Sequence, residues 1–130
     1  MSAFHLEIVT PTRVISEEEI SYVRCPGVDG SFGVMGGHAE AMIALDVGPV
    51  KVVSSDGDRW LATSGGYADI KGDQVLLLLE TAEFQDEIDA KRAKESLERA
   101  EERLKTKDMD HSRSSASLAR AMNRLHVVAR

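Results

Sequence analysis

No glycine or proline follows Gly72: all ten glycines and all three prolines of the 130 residues lie at or before it. Turn punctuation is therefore confined to the first part of the chain, and the remainder is free to run as helix. Cysteine is nearly absent, since Cys25 stands alone. A lone cysteine excludes an internal disulfide and fits a reducing compartment. Long apolar runs are missing too; none is longer than Val75 to Leu79, which is strand-sized and far short of the ~20 residues a spanning helix needs. The start, Met1-Ser2-Ala3-Phe4-His5, has neither the basic nor the apolar region of a secretion signal. These absences predict a soluble chain, in the cytoplasm or on the cytoplasmic side of a membrane, with no direct membrane insertion. Acids are missing after Asp110, where Arg113, Arg120, Arg124 and Arg130 stand unopposed, whereas residues 1–72 carry ten acids against five bases. A basic terminal segment on a chain of net charge −6 calls for an anionic partner, within the molecule or outside it.

What is present before Gly72 is a succession of short strands. Phe4, Leu6 and Ile8 alternate up to Pro11, and further strand-like runs cover Ile20–Cys25, Phe32–Met35, Val50–Ser54, Arg59–Ser64, Tyr67–Lys71 and Val75–Thr81. Pro26-Gly27, Asp29-Gly30, Asp56-Gly57, Gly65-Gly66 and Gly72-Asp73 separate them. Regular short strands with such turns predict an all-β sandwich or flattened barrel over residues 1–84, and the absence of intervening helices argues against a parallel sheet.

Residues 85–130 read as an antiparallel two-helix hairpin. From Asp86 to Lys105 a seam of Ala90, Ala93, Leu97, Ala100 and Leu104 repeats at three and four residues, with Asp86 as the expected cap. Thr106 to Ser112 is a polar break, and a second seam runs through Leu118, Ala121, Leu125 and Val128. Four leucines supply most of the apolar surface of both seams, little to set against the entropy of ordering two helices. The expectation is an arm whose posture is decided by docking or by a ligand.

The helices carry the candidate chemistry. At ~100° per residue Ile88, Arg92, Arg99 and Arg103 share one face of the first helix, and Arg113, Arg120 and Arg124 repeat the pattern on the second. Two arginine stripes beside packing seams could converge on a polyphosphate, with Ile88 against a base and Asp89 accepting from an amino group. The plainer alternative is surface charge, with Asp89–Arg92 and Glu95–Arg99 as helix pairs. Arg120 and Arg124 weigh against it, because neither has an acid three or four residues away. His38 lacks companions at metal-ligand spacing, Cys25 lacks an activating neighbour, and Gly65-Gly66 is no phosphate loop. The reading is therefore no catalytic residues, no metal, no required cofactor and no nucleic-acid face, in a non-catalytic protein whose arginine stripes could hold a polyphosphate.

Four stretches, Val9–Pro11, Gly30–His38, Ser64–Asp69 and Leu118–Leu125, resemble the ε subunit of bacterial F-type ATP synthases, in order and over essentially the whole chain. Ile88-Asp89-Ala90-Lys91-Arg92-Ala93 also matches every fixed position of an ATP-binding motif found in some members: Ile or Leu, Asp, two variable residues, Arg, Ala. The resemblance implies a central-stalk protein, peripheral on the cytoplasmic face of the membrane, whose sandwich binds the γ subunit and the ring of c subunits in proton-driven ATP synthesis. Its hairpin, extended toward the α and β subunits, would restrain ATP hydrolysis. By the same resemblance Glu83, Ile88, Asp89 and Ala93 would line the base and sugar of ATP, with Arg92, Arg99, Arg120 and Arg124 toward the phosphates. Ser31, which stands where the family usually has an acid, and His38 would lie at subunit contacts, as would Arg113, Arg120 and Arg124 of the acid-free helix. The alternative is a stand-alone ATP-sensing module.

Overall fold

A computed structural model describes residues 3–105 and 111–130. Nine strands come first: β1 Phe4–Val9, β2 Val14–Gly27, β3 Gly30–Met35, β4 Ala41–Leu45, β5 Gly48–Ser54, β6 Gly57–Thr63, β7 Gly66–Lys71, β8 Gln74–Leu79 and β9 Ala82–Phe84. A 3₁₀ turn at Gln85–Glu87 then leads to α1, Ala90–Leu104, and α2, His111–Val128. The sandwich-plus-two-helices architecture is the one the turn punctuation predicts.

Alternation builds the core. Along β1 buried and half-buried positions alternate without interruption, and Leu6 and Ile8 are joined inside by Ile20, Val23, Cys25, Val50, Leu61, Val75 and Leu77. The strands run β1-β8-β7-β4-β2-β5-β6-β9, with β3 on β2, and the long β2 also pairs with β1. That second pairing returns the sheet to its own first strand and closes part of it into a flattened barrel.

The pairing among the described residues is antiparallel, as expected, except at one contact: β1 and β8 are parallel, His5 beside Gln74 through Val9 beside Leu78. A parallel pair needs a long crossover. Here the intervening strands provide it, which a search for βαβ helices cannot detect. Two strands escape the periodicity as well. β4 shows only one fully buried residue in five, and β9 is only three residues long.

Burial pushes the Cys25 thiol up to about 12, so no thiolate is present at neutral pH. The native chain at pH 8 is expected to show no reaction with a maleimide over hours and stoichiometric reaction once unfolded in guanidinium. Rapid native labelling, read by mass spectrometry, would show that the core opens locally at β2.

The helices depart from the expected boundaries at the root. Asp86 lies in the 3₁₀ turn and Ile88 on an extended link (φ −79°, ψ 125°), so α1 begins at Ala90 with Asp89 as its N-cap. The Asp89 carboxylate accepts from the Arg92 N–H at 3.1 Å. Ile88 consequently is not on the arginine face of α1. The predicted polar break falls mostly on residues 106–110, outside the described residues, and its last two positions, His111 and Ser112, are already in α2.

α2 lies on the sandwich across β5 and β6, and α1 packs on α2. Ala93, Ala100 and Ala121 of the expected seams are buried, whereas Ala90 is exposed and Leu97, Leu104, Leu118 and Leu125 are only half-buried. Val127 and, unexpectedly, Asn123 are buried on α2 as well. They belong to a separate face, turned to the sandwich rather than to α1, and the spacing of one seam does not distinguish the two.

Candidate functional site

The joint between sandwich and hairpin is held by polar contacts whose residues come from distant parts of the chain. Arg13, between β1 and β2, reaches Glu87 with both ends of its guanidinium, Nη1 to Oε2 at 2.7 Å and Nη2 to Oε1 at 2.8 Å. It also donates to the Ala82 carbonyl, and Glu87 takes the Phe84 N–H at 2.9 Å. The Arg13 hydrogen bonds, followed by that of Phe84, hold the Glu87 carboxyl down at about 2. A depressed carboxylate stabilises the fold above its ordinary value of 4.5 and loses that contribution as pH falls towards about 2. Because the pair is more than a third exposed, its contribution is small. Glu87→Gln is expected to flatten the fall in melting temperature between pH 5 and pH 2.5; an unchanged slope would locate the acid sensitivity elsewhere.

Above this root, β9, the turn, α1 and α2 enclose a cleft of about 410 Å³ lined by Glu83, Glu87, Asp89, Arg92, Ala93, Ser96, Arg99 and Arg124. Six of the residues nominated for ATP meet there: Glu83, Asp89, Arg92, Ala93, Arg99 and Arg124. The other two do not. Ile88 leaves the face because it precedes the helix. Arg120 lies on the neighbouring side, beside Thr63, Ser64, Thr81 and Asn123, and donates to Ser117 Oγ at 3.1 Å. Convergence of the two arginine stripes is thus partial, two residues from α1 and one from α2.

Charge in the cleft is not evenly available. Arg124 Nε binds Glu83 Oε1 at 2.6 Å, so the acid missing from α2 is supplied across the joint by β9. Glu87 is taken by Arg13 and one oxygen of Asp89 by the α1 cap, whereas Arg92 and Arg99 form no ion pair among the described residues. Two unpaired guanidiniums against one half-used carboxylate suit a phosphate chain. The methyl of Ala93 leaves room against α1, and the volume falls in the range of small-molecule sites. A phosphate near Arg124 competes with Glu83 for it.

The remaining candidates stand apart. Ser31 is exposed on β3 opposite Pro26, and Arg113 is exposed in the first turns of α2. His38 is half-buried, its Nδ1 2.5 Å from the Met35 carbonyl oxygen and its ring edge-on to Phe4.

Sequence reasoning missed the residues that seat the helix. Asn123 Nδ2 donates to the Gly48 carbonyl at 2.8 Å and to the Thr63 carbonyl at 3.2 Å, bridging β5 and β6. Gln85 Nε2 donates to the main-chain oxygens of Val128 and Arg130 at 3.1 and 2.6 Å. Asn123 lies four residues before Val127, one helical turn along the same face.

A partly closed sandwich carrying a docked two-helix arm, with a charged cleft at the joint, is the class of protein that the fold and the site define. Residues 3–85 match the family described as ATP synthase, Delta/Epsilon chain, beta-sandwich domain, and residues 86–129 its long alpha-helix domain. The chain belongs to this ATP synthase delta/epsilon chain family, as a non-catalytic subunit. Relatives include the ATP synthase epsilon chain of Syntrophomonas wolfei, 39% identical over 97% of this chain and 94% of the relative. That of Ruminiclostridium cellulolyticum is 40% identical over 100% and 98%. A chain of the Euglena gracilis mitochondrial ATP synthase, solved as OSCP, F1 and c-ring, shares the fold with a TM-score of 0.86 at 20% identity, over 98% of this chain and 82% of that one. One from the central stalk and c-ring of Tetrahymena thermophila shares it at 0.63 and 13% identity, over 95% and 97%.

Proposed function

We propose that this chain is a central-stalk subunit of a bacterial F-type ATP synthase, peripheral on the cytoplasmic face of the membrane, whose hairpin restrains ATP hydrolysis and whose docked posture is favoured by ATP. The sandwich is the seat, held by the γ subunit and by the ring of c subunits. Met42, Tyr67 and Leu78 are exposed on the adjacent strands β4, β7 and β8, and cross-strand pairing places them on one outer face, a suitable apolar surface for γ. Ser31, at the β2–β3 end, is assigned to the ring. In the extended posture Arg113, Arg120 and Arg124 reach the α and β subunits, and the charge of an acid-free helix favours acidic ground there.

The observation that carries the regulatory part is the cleft, whose walls come from β9, α1 and α2 at once. A ligand seated there touches both halves and therefore binds the docked posture more tightly than the extended one. Its posture preference is equal to that difference in affinity and no greater. Arg92 and Arg99 would meet the phosphates, with Asp89 and Ala93 toward the base.

Calorimetry on the full chain tests the ligand. Arg92→Ala is expected to weaken ATP binding at least tenfold, the effect of removing one charge-assisted hydrogen bond. Unchanged affinity would remove the cleft from the proposal. A reconstituted synthase tests the role: deleting residues 86–130 is expected to raise ATP hydrolysis while leaving coupling intact, and unaltered hydrolysis would refute the restraint.

A further inference from the structure

We propose that the outer face of β2, β5 and β6 holds a second anion site, specific for a phosphoryl group and complete only while α2 is docked. Cross-strand register sets Arg24 beside Lys51 and Lys51 beside Trp60, so one row across three strands reads Arg, Lys, Trp. Arg130, following α2, closes the row. Its guanidinium lies 4.5 Å from the centroid of the Trp60 ring, with the Lys51 ammonium 5.5 Å from the same ring. With Pro26, Ser31 and Pro49 these residues line a cleft of about 320 Å³ that has no carboxylate side chain in its wall.

The contrast with the cleft above α1 is chemical. There, Glu83, Glu87 and Asp89 stand among three arginines. Here three cations converge with no acid between them, on a chain whose net charge is −6. Like charges gathered in a concavity repel one another unless an anion enters. Two neighbours temper them: Asp58 lies 3.5 Å from Lys51 Nζ in a partly exposed pair, and Arg24 Nη1 donates to the Tyr22 hydroxyl at 3.2 Å. The Trp60 ring is already engaged by two of these cations. The donors are Arg24, Lys51, Arg130 and the Ser31 hydroxyl, a set suited to phosphoryl oxygens.

Arg130 belongs to the arm, and Gln85 fixes its main chain. An anion held between Arg130 and the sheet therefore bridges the two halves at the root of the hairpin, outside the cleft that Arg92 lines. The site couples to posture in the same direction as ATP but through none of the same residues.

Trp60 is the only tryptophan of the chain, so the site carries its own reporter. Inorganic pyrophosphate added to the full chain at constant ionic strength is expected to change tryptophan emission saturably. Lys51→Gln and Arg130→Gln should each weaken the response about tenfold, and Asp58→Asn should strengthen it. Phosphatidylglycerol vesicles form a parallel arm: response to pyrophosphate identifies a free phosphate ligand, and response to vesicles alone a lipid headgroup, both phosphoryl groups. A non-saturable change matched by potassium chloride, an Arg130→Gln variant that binds like the parent, or a response to polyglutamate alone would overturn the site.

Discussion

Gly66→Ala is expected to destabilise the sandwich by roughly 4 kcal/mol, through forbidden backbone geometry and overlap together. Gly66 sits at φ +147°, and a Cβ built there falls 2.0 Å from the Leu78 carbonyl oxygen and 2.9 Å from Leu79 Cα. These are backbone atoms of β8 in register with β7, so no side chain can turn aside to make room. Relief requires β7 and β8 to separate, and Gly66 is also the partner of Leu45 in β4. Urea denaturation followed by circular dichroism measures the loss. A penalty under about 1 kcal/mol would mean that this end of β7 yields without resistance. Gly57→Ala is the control: its φ of +118° is also unfavourable to a side chain, but nothing lies within 4 Å of the added atom, so backbone strain of about 1–2 kcal/mol is the whole cost.

Asn123→Leu should release α2 from the sandwich while leaving the sandwich folded. The side chain is 7% exposed and its amide serves two carbonyls on different strands. Leucine is similar in size but donates nothing, so docking would bury two unpaired carbonyl oxygens at roughly 1–3 kcal/mol each. Undocking lets water reach both, which is the cheaper outcome. Amide exchange across α2 should accelerate about thirtyfold or more, the equivalent of about 2 kcal/mol, with β1 and β8 unaffected. Asn123→Asp keeps the shape but turns an acceptor toward two acceptors, and its effect should exceed that of leucine. Equal protection in all three chains would show that Val127 and the helix–helix contacts alone seat the arm.

These predictions rest on residues that the pattern of the sequence reveals unequally. The sandwich was legible because β1 repeats strictly at two residues and turn pairs stand between the runs. β4 and β9 were not, since both are short and their burial comes from neighbours remote in sequence. The arginine cleft was partly legible. Angular spacing places Arg92 and Arg99 together on α1, but cannot say that Ile88 has left the helix, that Arg120 turns to another side, or that Glu83 arrives from β9 to meet Arg124. Asn123 was hidden for a different reason. α2 buries two faces, and the spacing of its apolar residues marks only the one against α1, so an amide on the face against the sandwich is indistinguishable from a solvated one.

The parallel contact of β1 with β8 also bears on the order in which the molecule can form. Phe4–Val9 leaves the ribosome well before its parallel partner, Gln74–Leu79, which follows some seventy positions later. Until then the nascent chain exposes an unsatisfied strand, and pairings of such long reach close slowly. The arm closes between near neighbours and is quick by comparison, so in biosynthesis it is ready almost as soon as the surface on which it rests.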